Sequence, residues 1–454
     1  MIDEKVDSDF DTADFGRPGI FRSLVDVKQG EINRRIYSSP EVYKIEQQRI
    51  FSRAWLYVGH ESQVPNPGDF ILSKMGEESV IVARGNDHKV SVMLNSCRHR
   101  GMKVCRYDEG NTKRFYCPYH AWTYGLDGRL IGVQDYRETY VPPFDRGEWG
   151  LVRARTASIR GAIWATWDDG APDFDVYLGE AKDVMESAFR PVDGGDGEIE
   201  VLGGVQRWRV NCNWKIIAEN GSGDVLHAIS HASVDMAGIN PSEGEGRRDD
   251  AGQFVLSTHP EGHGFIYTKW PVGKERVEFR RDPVVSAWFT EKWRLRNERL
   301  GSNAGVWPLL GTIFPNMSFH CQQPRSILVS HPIGPEQTEM WRVYFVEKDA
   351  PEEVKQFLKR YYLSYSGPAG MTEQDDMENW QYATNGSLGT IARRYPFHYK
   401  AGMGQEGRDD QIAGTVTEHP IGSEQNPRSL YSKWAELMDS SDWDELLDRR
   451  KAGE

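Results

Sequence analysis

Four side chains that bind transition metals stand in two short motifs in the N-terminal third of the chain. Cys97 and His99 form a C-x-H motif, and Cys117 and His120 form a C-x-x-H motif after 17 intervening residues. Thiolate and imidazole together suit zinc or an iron–sulfur cluster. The two motifs therefore predict one metal centre that is held by two loops.

The mixing of ligand types distinguishes between these two kinds of centre. Structural zinc sites usually pair cysteine with cysteine and histidine with histidine, and a zinc site remains the simpler alternative. Here each motif supplies one of each, so one iron can take both thiolates and the other both imidazoles, as in a Rieske [2Fe–2S] centre. The spacing also resembles the Rieske motif C-x-H-x(15–17)-C-x-x-H.

A second group of candidate ligands lies in the C-terminal part of the chain. Asp224, His227 and His231 stand at i, i+3 and i+7, so a helical conformation would place all three on one face. Two histidines at i and i+4 can share a metal, although H-x-x-x-H alone is a weak signal. His259 and His263 have the same spacing without helical support, which favours a loop.

A carboxylate from elsewhere would complete this second site, because three ligands on one helix face cannot easily surround an octahedral metal. The acidic stretch Glu373–Asp376 follows Thr372, a candidate N-cap, and is predicted to open a helix. Its simpler interpretation is an acidic helix N-terminus that interacts with the helix dipole. Two histidines plus one carboxylate would leave positions open for O2, as in non-haem Fe(II) oxygenases.

The composition is that of a globular protein without a basic surface. The 454 residues suffice for two or three domains, and the formal net charge of −13 disfavours nucleic acid and an anionic membrane. The sequence contains no apolar run of about 18 residues and starts without signal-peptide order, so we expect a cytosolic protein. Cys105, Cys212 and Cys321 fall outside the metal motifs, and an odd remainder fits reduced thiols.

Hydrophobic periodicity divides the chain into three segments. Residues 1–54 are an N-terminal segment with a helix candidate at Pro40, expected to pack with the third segment. Residues 55–170 contain short strands and turns, which predict a small all-β domain carrying the Cys/His motifs. Residues 171–454 mix strands and helices without βαβ regularity, which predicts an antiparallel α+β domain. A Gly-, Ser- and Glu-rich stretch at 238–252 is predicted to be a solvated loop.

Taken in order, these motifs carry a family resemblance. The Rieske motif is followed by N-W-K-x-x-x-E-N-x-x-x-D-x-x-H from Asn213, by E-Q-D-D-x-E-N-W from Glu373, and by Tyr431, Trp434 and Trp443. The pattern resembles the catalytic α subunit of bacterial aromatic-ring-hydroxylating dioxygenases, of the phenylpropionate and biphenyl type, over about residues 30 to 450. The resemblance implies a small all-β Rieske [2Fe–2S] domain plus a larger antiparallel-sheet helix-grip catalytic domain.

Carried over by position, the resemblance assigns roles to the candidate residues. The cluster ligands would be Cys97, His99, Cys117 and His120, and the ligands of a mononuclear iron would be His227, His231 and Asp376. Asp224 would match an aspartate that bridges to a Rieske histidine of a neighbouring subunit, and Asn220 an asparagine near the iron. The carboxylate of Asp224 could also accept a hydrogen bond from the ring of His227. The family commonly has four or five residues between the iron histidines, whereas this chain has three.

The implied activity is cis-dihydroxylation of an aromatic ring with O2 and electrons from NAD(P)H. The resemblance implies an α3 or α3β3 assembly with a small β subunit, and electron supply through a ferredoxin and/or reductase. No Gly-rich dinucleotide motif is present in the sequence, so the electrons must come from a partner. A Rieske monooxygenase, either a hydroxylase or a demethylase, is the alternative within the class. An electron carrier without a second iron and a zinc-stabilised binding protein are alternatives outside it.

The resemblance places a wall of the substrate pocket at residues 316–325. Strand alternation would put Ser318, His320 and Gln322 on one face. That polar face could recognise a carboxylate or hydroxyl group on the ring, or it could simply pack against a neighbouring element.

Overall fold

The computed structural model describes residues 15, 17–224, 226–241, 253–271, 276–417 and 422–452. Its contacts divide the chain into two compact units. The small unit is Phe51–Ala171, and the large unit combines Met1–Ile50 with Pro172–Glu454. Most of the loop predicted at 238–252 lies outside the described residues. Within the described ranges, no helix is long and apolar enough to span a bilayer.

The N-terminal part of the large unit contains two short helices and a hairpin. Its elements are α1 (Ile20–Leu24), β1 (Val25–Asp26), β2 (Glu31–Ile32) and α2 (Pro40–Glu46). The Ser39 side chain accepts a hydrogen bond from the Val42 N–H, and Pro40 occupies the first turn, so α2 begins where the sequence predicts it. The main-chain N–H groups of Phe21 and Arg22 both donate to the carboxylate of Asp439, which ties α1 to the C-terminal region.

The small unit is built from three antiparallel sheets. Its strands are β3 (Leu56–His60), β4 (Asp69–Met75), β5 (Glu78–Arg84), β6 (Val90–Leu94), β7 (Glu109–Asn111), β8 (Phe115–Tyr116), β9 (Thr123–Tyr124), β10 (Leu130–Gly132), β11 (Arg155–Ile159) and β12 (Ala162–Thr166), with a short helix α3 (Tyr136–Thr139). The sheet orders are β6-β5-β4-β7, β10-β9-β8 and β11-β12-β3. Cys97 and Cys117 belong to its buried core, together with Phe70, Met93 and Trp122.

The large unit is organised around one nine-stranded sheet of antiparallel pairs with the order β13-β20-β19-β18-β17-β16-β15-β22, in which β14 also pairs with β20. Its strands are β13 (Ile199–Val201), β14 (Gln206–Val210), β15 (Gln253–Thr258), β16 (Gly264–Lys269), β17 (Val306–Ile313), β18 (Met317–His320), β19 (Ser326–Gly334), β20 (Gln337–Glu347) and β22 (Thr415–Thr417). The short strand β21 (Phe397–His398) pairs with β2. The α+β class and the all-β small domain are confirmed.

The helices of the large unit follow and interrupt these strands. They are α4 (Phe174–Leu178), α5 (Ala181–Ala188), α6 (Trp214–Gly223), α7 (Ala232–Ala237), α8 (Pro283–Leu300), α9 (Glu352–Tyr365), α10 (Met371–Asn385), α11 (Gln425–Asp439) and α12 (Trp443–Ala452). The strand alternation expected at 316–325 applies only to Met317–His320, because β18 ends there and β19 begins at Ser326. The chain reverses between them, where Pro324 has no N–H to donate to a ladder.

A buried charge cluster joins three helices of the large unit. The carboxylate of Glu46 in α2 accepts from Lys215 Nζ at 2.6 Å and Trp214 Nε1 at 2.9 Å, both in α6, and from Trp434 Nε1 of α11 at 2.8 Å. Lys215 is completely buried. Burial lowers the pKa of Lys215, and the Glu46 carboxylate opposes that effect. Each charge therefore depends on the other for its compensation, because both side chains are buried.

Replacing Lys215 with methionine should destabilise the large unit by roughly 3–5 kcal/mol, because the Glu46 carboxylate would stay buried without its partner. Thermal unfolding followed by circular dichroism measures the effect. The matched control is Lys182→Met, which removes an exposed ion pair with Asp175 (2.6 Å) and should leave the transition almost unchanged. Equal losses in the two variants would contradict a special role for the buried cluster.

Candidate metal centres

The two Cys/His motifs of the small unit form loops with the same hydrogen-bonding scheme. In the first loop, Cys97 N donates to Met102 O and Gly101 N donates to Cys97 O, both at 2.8 Å. In the second, Cys117 N donates to Trp122 O at 2.8 Å and Ala121 N donates to Cys117 O at 3.0 Å. The residue four places after each cysteine has a positive φ, +72° at Gly101 and +61° at Ala121. Both thiols are buried and neither forms a disulfide.

The imidazoles of the two loops lie beside each other and are less buried than the thiols. The His99 and His120 ring centroids are 4.5 Å apart, and the Trp122 ring stacks on His99 at 5.0 Å with an interplanar angle of 6°. Burial, together with His120 and Arg100, lowers the pKa of His99, which favours the neutral form that binds metals. The Nδ1 of His99 is buried and has no hydrogen-bond partner among the described residues. The donor set fits a two-iron cluster.

Tyr124 is a neighbour of the thiols that the sequence reasoning missed. Its hydroxyl lies 3.2 Å from Cys97 Sγ and accepts a hydrogen bond from the Arg98 N–H at 3.2 Å. The hydroxyl proton is therefore free to point at the sulfur. Burial and the nearby Cys97 raise the pKa of Tyr124, so it stays protonated and acts as the donor. Nothing in the amino-acid sequence around Tyr124, seven residues after Cys117, indicates that its hydroxyl contacts a cysteine.

The second candidate site lies in the large unit and brings His227, His231 and Asp376 together. The two Nε2 atoms are 3.0 Å apart, and Asp376 Oδ1 lies 3.4 Å from Nε2 of His227 and 3.3 Å from Nε2 of His231. Ligands at right angles around a metal, each about 2.1 Å from it, are ~3.0 Å apart. Asp376 Oδ1 is buried and accepts no hydrogen bond within the described part of the chain. These residues fit one face of a metal's coordination sphere.

The local conformation at this site differs from the helix predicted over Asp224, His227 and His231. α6 ends at Gly223, whose φ of +136° is rarely adopted by residues with a side chain. The two histidines lie in a separate 3-10 helix, Leu226–His231. Since a 3-10 helix has three residues per turn, they do not share one face as in an α-helix, and their rings meet at 79°.

The groups around His227 also differ from expectation. Its Nδ1 donates to the main-chain carbonyl of Asp224 in a short hydrogen bond, and the Asn220 amide lies 3.2 Å from the same nitrogen. The Asp224 carboxylate is 3.8 Å away, beyond hydrogen-bonding distance. Burial would lower the pKa of His227, but Asp376 and Asp224 raise it above its usual value. The Asp224 carboxylate instead accepts a hydrogen bond from the Leu226 N–H at 3.1 Å.

His231 has a support that the sequence did not reveal. Asp375 Oδ2 lies 3.6 Å from its Nδ1 and accepts a hydrogen bond from Ser233 Oγ at 2.7 Å. Both carboxylates of the Asp-Asp pair therefore face this site, Asp376 towards the two Nε2 atoms and Asp375 towards the outer ring nitrogen. The adjacency of Asp375 and Asp376 in the sequence is the feature that could have indicated this contact.

The alternative pair, His259 and His263, belongs to the β15–β16 hairpin and is fully buried. His263 Nε2 lies 3.1 Å from Tyr177 O, and its Nδ1 accepts from the Phe314 N–H at 3.1 Å. Burial lowers the pKa of His263 to about 3. With both ring nitrogens bound to protein atoms, this histidine has a structural role, as a loop interpretation predicts.

Glu219, a half-buried residue one position before Asn220, is another group that sequence alone did not single out as important. It accepts hydrogen bonds from the hydroxyls of Tyr399, at 2.8 Å, and Tyr431. Burial raises the pKa of Glu219 to about 8, so the carboxyl is largely protonated at neutral pH. These contacts fix the second half of α6 against the C-terminal part of the unit.

Comparisons with known proteins identify two families in the chain. Residues 54–144 match the Rieske [2Fe-2S] domain family, and residues 198–439 match the ring hydroxylating alpha subunit (catalytic domain) family. The chain belongs to the family of ring-hydroxylating dioxygenase alpha subunits, oxidoreductases that combine a Rieske [2Fe–2S] cluster with mononuclear iron. The prediction of this family and of both cofactors is confirmed.

Individual relatives cover nearly the whole chain. Biphenyl 2,3-dioxygenase subunit alpha of Rhodococcus jostii (strain RHA1) is 37% identical, with 94% of this chain and 93% of the relative covered. Benzene 1,2-dioxygenase subunit alpha of Pseudomonas putida is 36% identical, with coverages of 93% and 94%. A solved naphthalene 1,2-dioxygenase with indole bound has a TM-score of 0.86 at 29% identity, with 97% and 98% covered. Quaternary ammonium Rieske monooxygenase structures, at 17% identity, share the fold.

Tyr124→Phe should lower the reduction potential of the cluster by an amount on the order of tens of millivolts, because it removes a hydrogen bond to a ligand sulfur. Redox titration of the visible Rieske spectrum measures this shift. Tyr116→Phe is the matched control, since Tyr116 is exposed in the same unit. An unchanged potential in Tyr124→Phe would mean that the hydroxyl does not donate to Cys97 Sγ.

Proposed function

We propose that this chain is the oxygenase component that cis-dihydroxylates an aromatic ring with O2. In this proposal Cys97, His99, Cys117 and His120 hold the [2Fe–2S] cluster, and His227, His231 and Asp376 hold the mononuclear iron. The observation that supports it best is the convergence of two ring nitrogens and one carboxylate oxygen within 3.4 Å in a chain that also carries the two Cys/His loops. Three protein ligands on one side leave room for O2 beside a substrate.

When bound, the cluster supplies single electrons and the mononuclear iron supplies the chemistry that activates O2. The chain's own residues orient the ligands. The Asp224 carbonyl holds the His227 ring through Nδ1, and Asp375 lies behind His231. Arg342 pairs with Glu373 in the first turn of α10 and so fixes the helix that presents Asp376. Side chains that are held in this way keep the iron ligands in a constant geometry relative to a bound aromatic substrate.

Dioxygenation is favoured over monooxygenation. The relatives at 36–37% identity are named biphenyl, chlorobenzene and benzene dioxygenase alpha subunits. The monooxygenases among the solved structures are only 16–17% identical to this chain. We therefore infer a cis-dihydrodiol as the product, and a Rieske monooxygenase remains the second candidate.

Alpha subunits of this family normally work with a beta subunit and with electron-transfer partners. For this chain we propose a small β subunit in an α3β3 assembly, or an α3 assembly without it, and electrons from NAD(P)H through a ferredoxin and/or reductase. A cytosolic location is supported by five buried cysteines that form no disulfide. The limits 1–54, 55–170 and 171–454 stay a prediction for the N-terminal segment, the Rieske domain and the catalytic domain.

His227→Ala and Asp376→Ala should each remove the mononuclear iron and the activity but keep the Rieske spectrum, because the two ligand sets belong to different units. Iron and acid-labile sulfide analysis, with the visible spectrum, measures both. His231→Ala should behave in the same way, and the exposed His398→Ala is the control. Full iron occupancy in His231→Ala would show that another residue takes this position.

Asp224→Asn should bind both metals, accept electrons at the cluster and fail to turn over. The reason is that the Asp224 carboxylate, 38% exposed, is not needed to hold His227, while the family resemblance assigns it to a bridge with His120 of a neighbouring subunit. Rapid-kinetic oxidation of the reduced cluster in the presence of substrate and O2 measures the transfer. Glu378→Gln, an exposed change on α10, is the control. Near-normal product formation by Asp224→Asn would remove the case for the bridge.

A further inference from the structure

The two cluster histidines differ in what packs against them. The buried Trp122 ring stacks on His99, with ring centroids 5.0 Å apart and an interplanar angle of 6°. His120 instead packs on Tyr119, with 3.8 Å between the ring centroids, and the Tyr119 side chain is exposed. One ligand therefore continues into the aromatic packing of the small unit, whereas the other ends at an exposed tyrosine.

The aromatic packing behind His99 reaches the surface of the small unit at Trp149. The rings of Trp122 and Trp149 meet edge to face, with centroids 6.2 Å apart and an angle of 85°. Phe144 packs against both indoles, at 5.6 Å from Trp122 and 5.9 Å from Trp149. Trp122 is 3% exposed and Trp149 is 37% exposed. A molecule that sits on Trp149 is therefore two ring contacts away from a cluster ligand.

This route to the surface suits the delivery of electrons. The rate of electron transfer falls steeply with the distance between donor and acceptor, so a carrier protein must dock where that distance is short. The two contacts that Trp122 makes, with His99 and with Trp149, fill the intervening space with packed rings. An exposed tryptophan is also among the side chains that most often dominate the binding energy of a protein interface.

An arginine of the first metal loop lies on this exposed indole. The guanidinium carbon of Arg98 is 5.4 Å from the centroid of the Trp149 ring, and its Nη1 donates to Gly150 O at 3.3 Å. The Arg98 side chain is exposed, and no carboxylate in the described part of the chain forms an ion pair with it. Its positive charge is therefore available to a partner that contacts Trp149.

The charge balance of the metal loops differs from that of the whole chain. The stretch from Cys97 to Trp122 carries six exposed arginines and lysines and two exposed carboxylates, a net charge of +4. The formal net charge of the whole chain is −13. A local cationic surface speeds the association of an acidic partner through electrostatic attraction, and salt screens that attraction. The surface around the cluster therefore favours an acidic electron carrier.

From these contacts, and resting on the proposed function, we infer that electrons enter the cluster on the His99 side, from an acidic one-electron carrier protein that docks on Trp149 and Arg98. One electron leaves the reduced carrier and is taken up at the cluster, and no bond forms or breaks in the chain. Trp149 is the apolar anchor of the docking surface, Arg98 attracts the acidic partner, and Trp122 fills the space up to His99. Neither indole has to be oxidised, because the rings only shorten the gap that the electron crosses.

The test follows reduction of the cluster by its visible spectrum, without arene, in the purified oxygenase with both metal centres. The donor is an acidic plant-type [2Fe–2S] ferredoxin that has been reduced photochemically, and reduced methyl viologen, a small cation, is the control donor that needs no docking surface. The second-order rate constant with ferredoxin should fall roughly tenfold between about 20 and about 300 mM NaCl. The rate constant with methyl viologen should not fall.

Four variants test the two side chains of the docking surface. Trp149→Leu removes the ring but keeps an apolar side chain, and should lower the ferredoxin rate constant roughly tenfold. Trp149→Phe keeps a ring and should stay within about threefold of the wild type. Arg98→Glu should lower the rate constant about tenfold at low salt and less at high salt. Lys89→Glu is the matched charge change at an exposed residue between β5 and β6, and its effect should stay below about twofold.

Two further measurements separate docking from damage to the cluster. The reduction potential of the cluster and its reduction by methyl viologen should be unchanged in every variant. A cluster that has been reduced beforehand should also be oxidised at the wild-type rate in Trp149→Leu when substrate and O2 are added, because this change affects only the entry of electrons. If Arg98→Glu does not retain its cluster, the two Trp149 variants and the salt dependence of the wild type decide.

Wild-type rate constants in both Trp149→Leu and Arg98→Glu, a ferredoxin rate constant that does not fall with salt, or no reduction by ferredoxin where methyl viologen reduces the cluster would each overturn the inference. A change of oligomeric state in Trp149→Leu, or slow oxidation of its pre-reduced cluster, would also overturn it, because the surface would then be an interface between copies. Arene oxidation by the pre-reduced wild type in any of these cases leaves the proposed function intact. If entry behaves as expected and the pre-reduced enzyme oxidises no arene, the docking surface stands and the proposed function fails.

Discussion

The large unit must hold three electron-pair donors close together at the candidate iron site. Without a metal between them, such donors repel one another. The two Nε2 atoms and Asp376 Oδ1 approach within 3.0–3.4 Å, a geometry that a shared cation stabilises. The surroundings resist their separation. Gly221 lets α6 rest on the sheet, Arg342 fixes the start of α10, and the Glu46 cluster anchors the first turn of α6.

What could be read from the sequence was mostly local. The two Cys/His motifs close tight turns within six residues, so their spacing carried enough information to predict a shared centre. The position of α2 was also predictable, since its cap and first-turn proline are adjacent. The choice of Asp376 over Asp375 needed the family resemblance, because two neighbouring carboxylates on a helix look equivalent until their partners are known.

The features that were missed depend on contacts between distant segments or on small changes of backbone. Nothing local indicates that Glu219 meets Tyr399 and Tyr431, 180 and 212 residues away. The break at Gly223, which turns one predicted helix into an α-helix followed by a 3-10 helix, arises where the backbone meets Asn426 and Ile266. As a result, the Asp224 carbonyl rather than its carboxylate holds His227.

The division of the chain has a consequence for its biosynthesis. The small unit is one continuous stretch, Phe51–Ala171, inserted into a large unit whose parts precede and follow it. Glu46 meets its partner Trp434 only across 388 residues, so the core of the large unit cannot close until nearly the whole chain has left the ribosome. The small unit, by contrast, has all of its residues available early. The small unit can therefore begin to fold during synthesis before the core of the large unit closes.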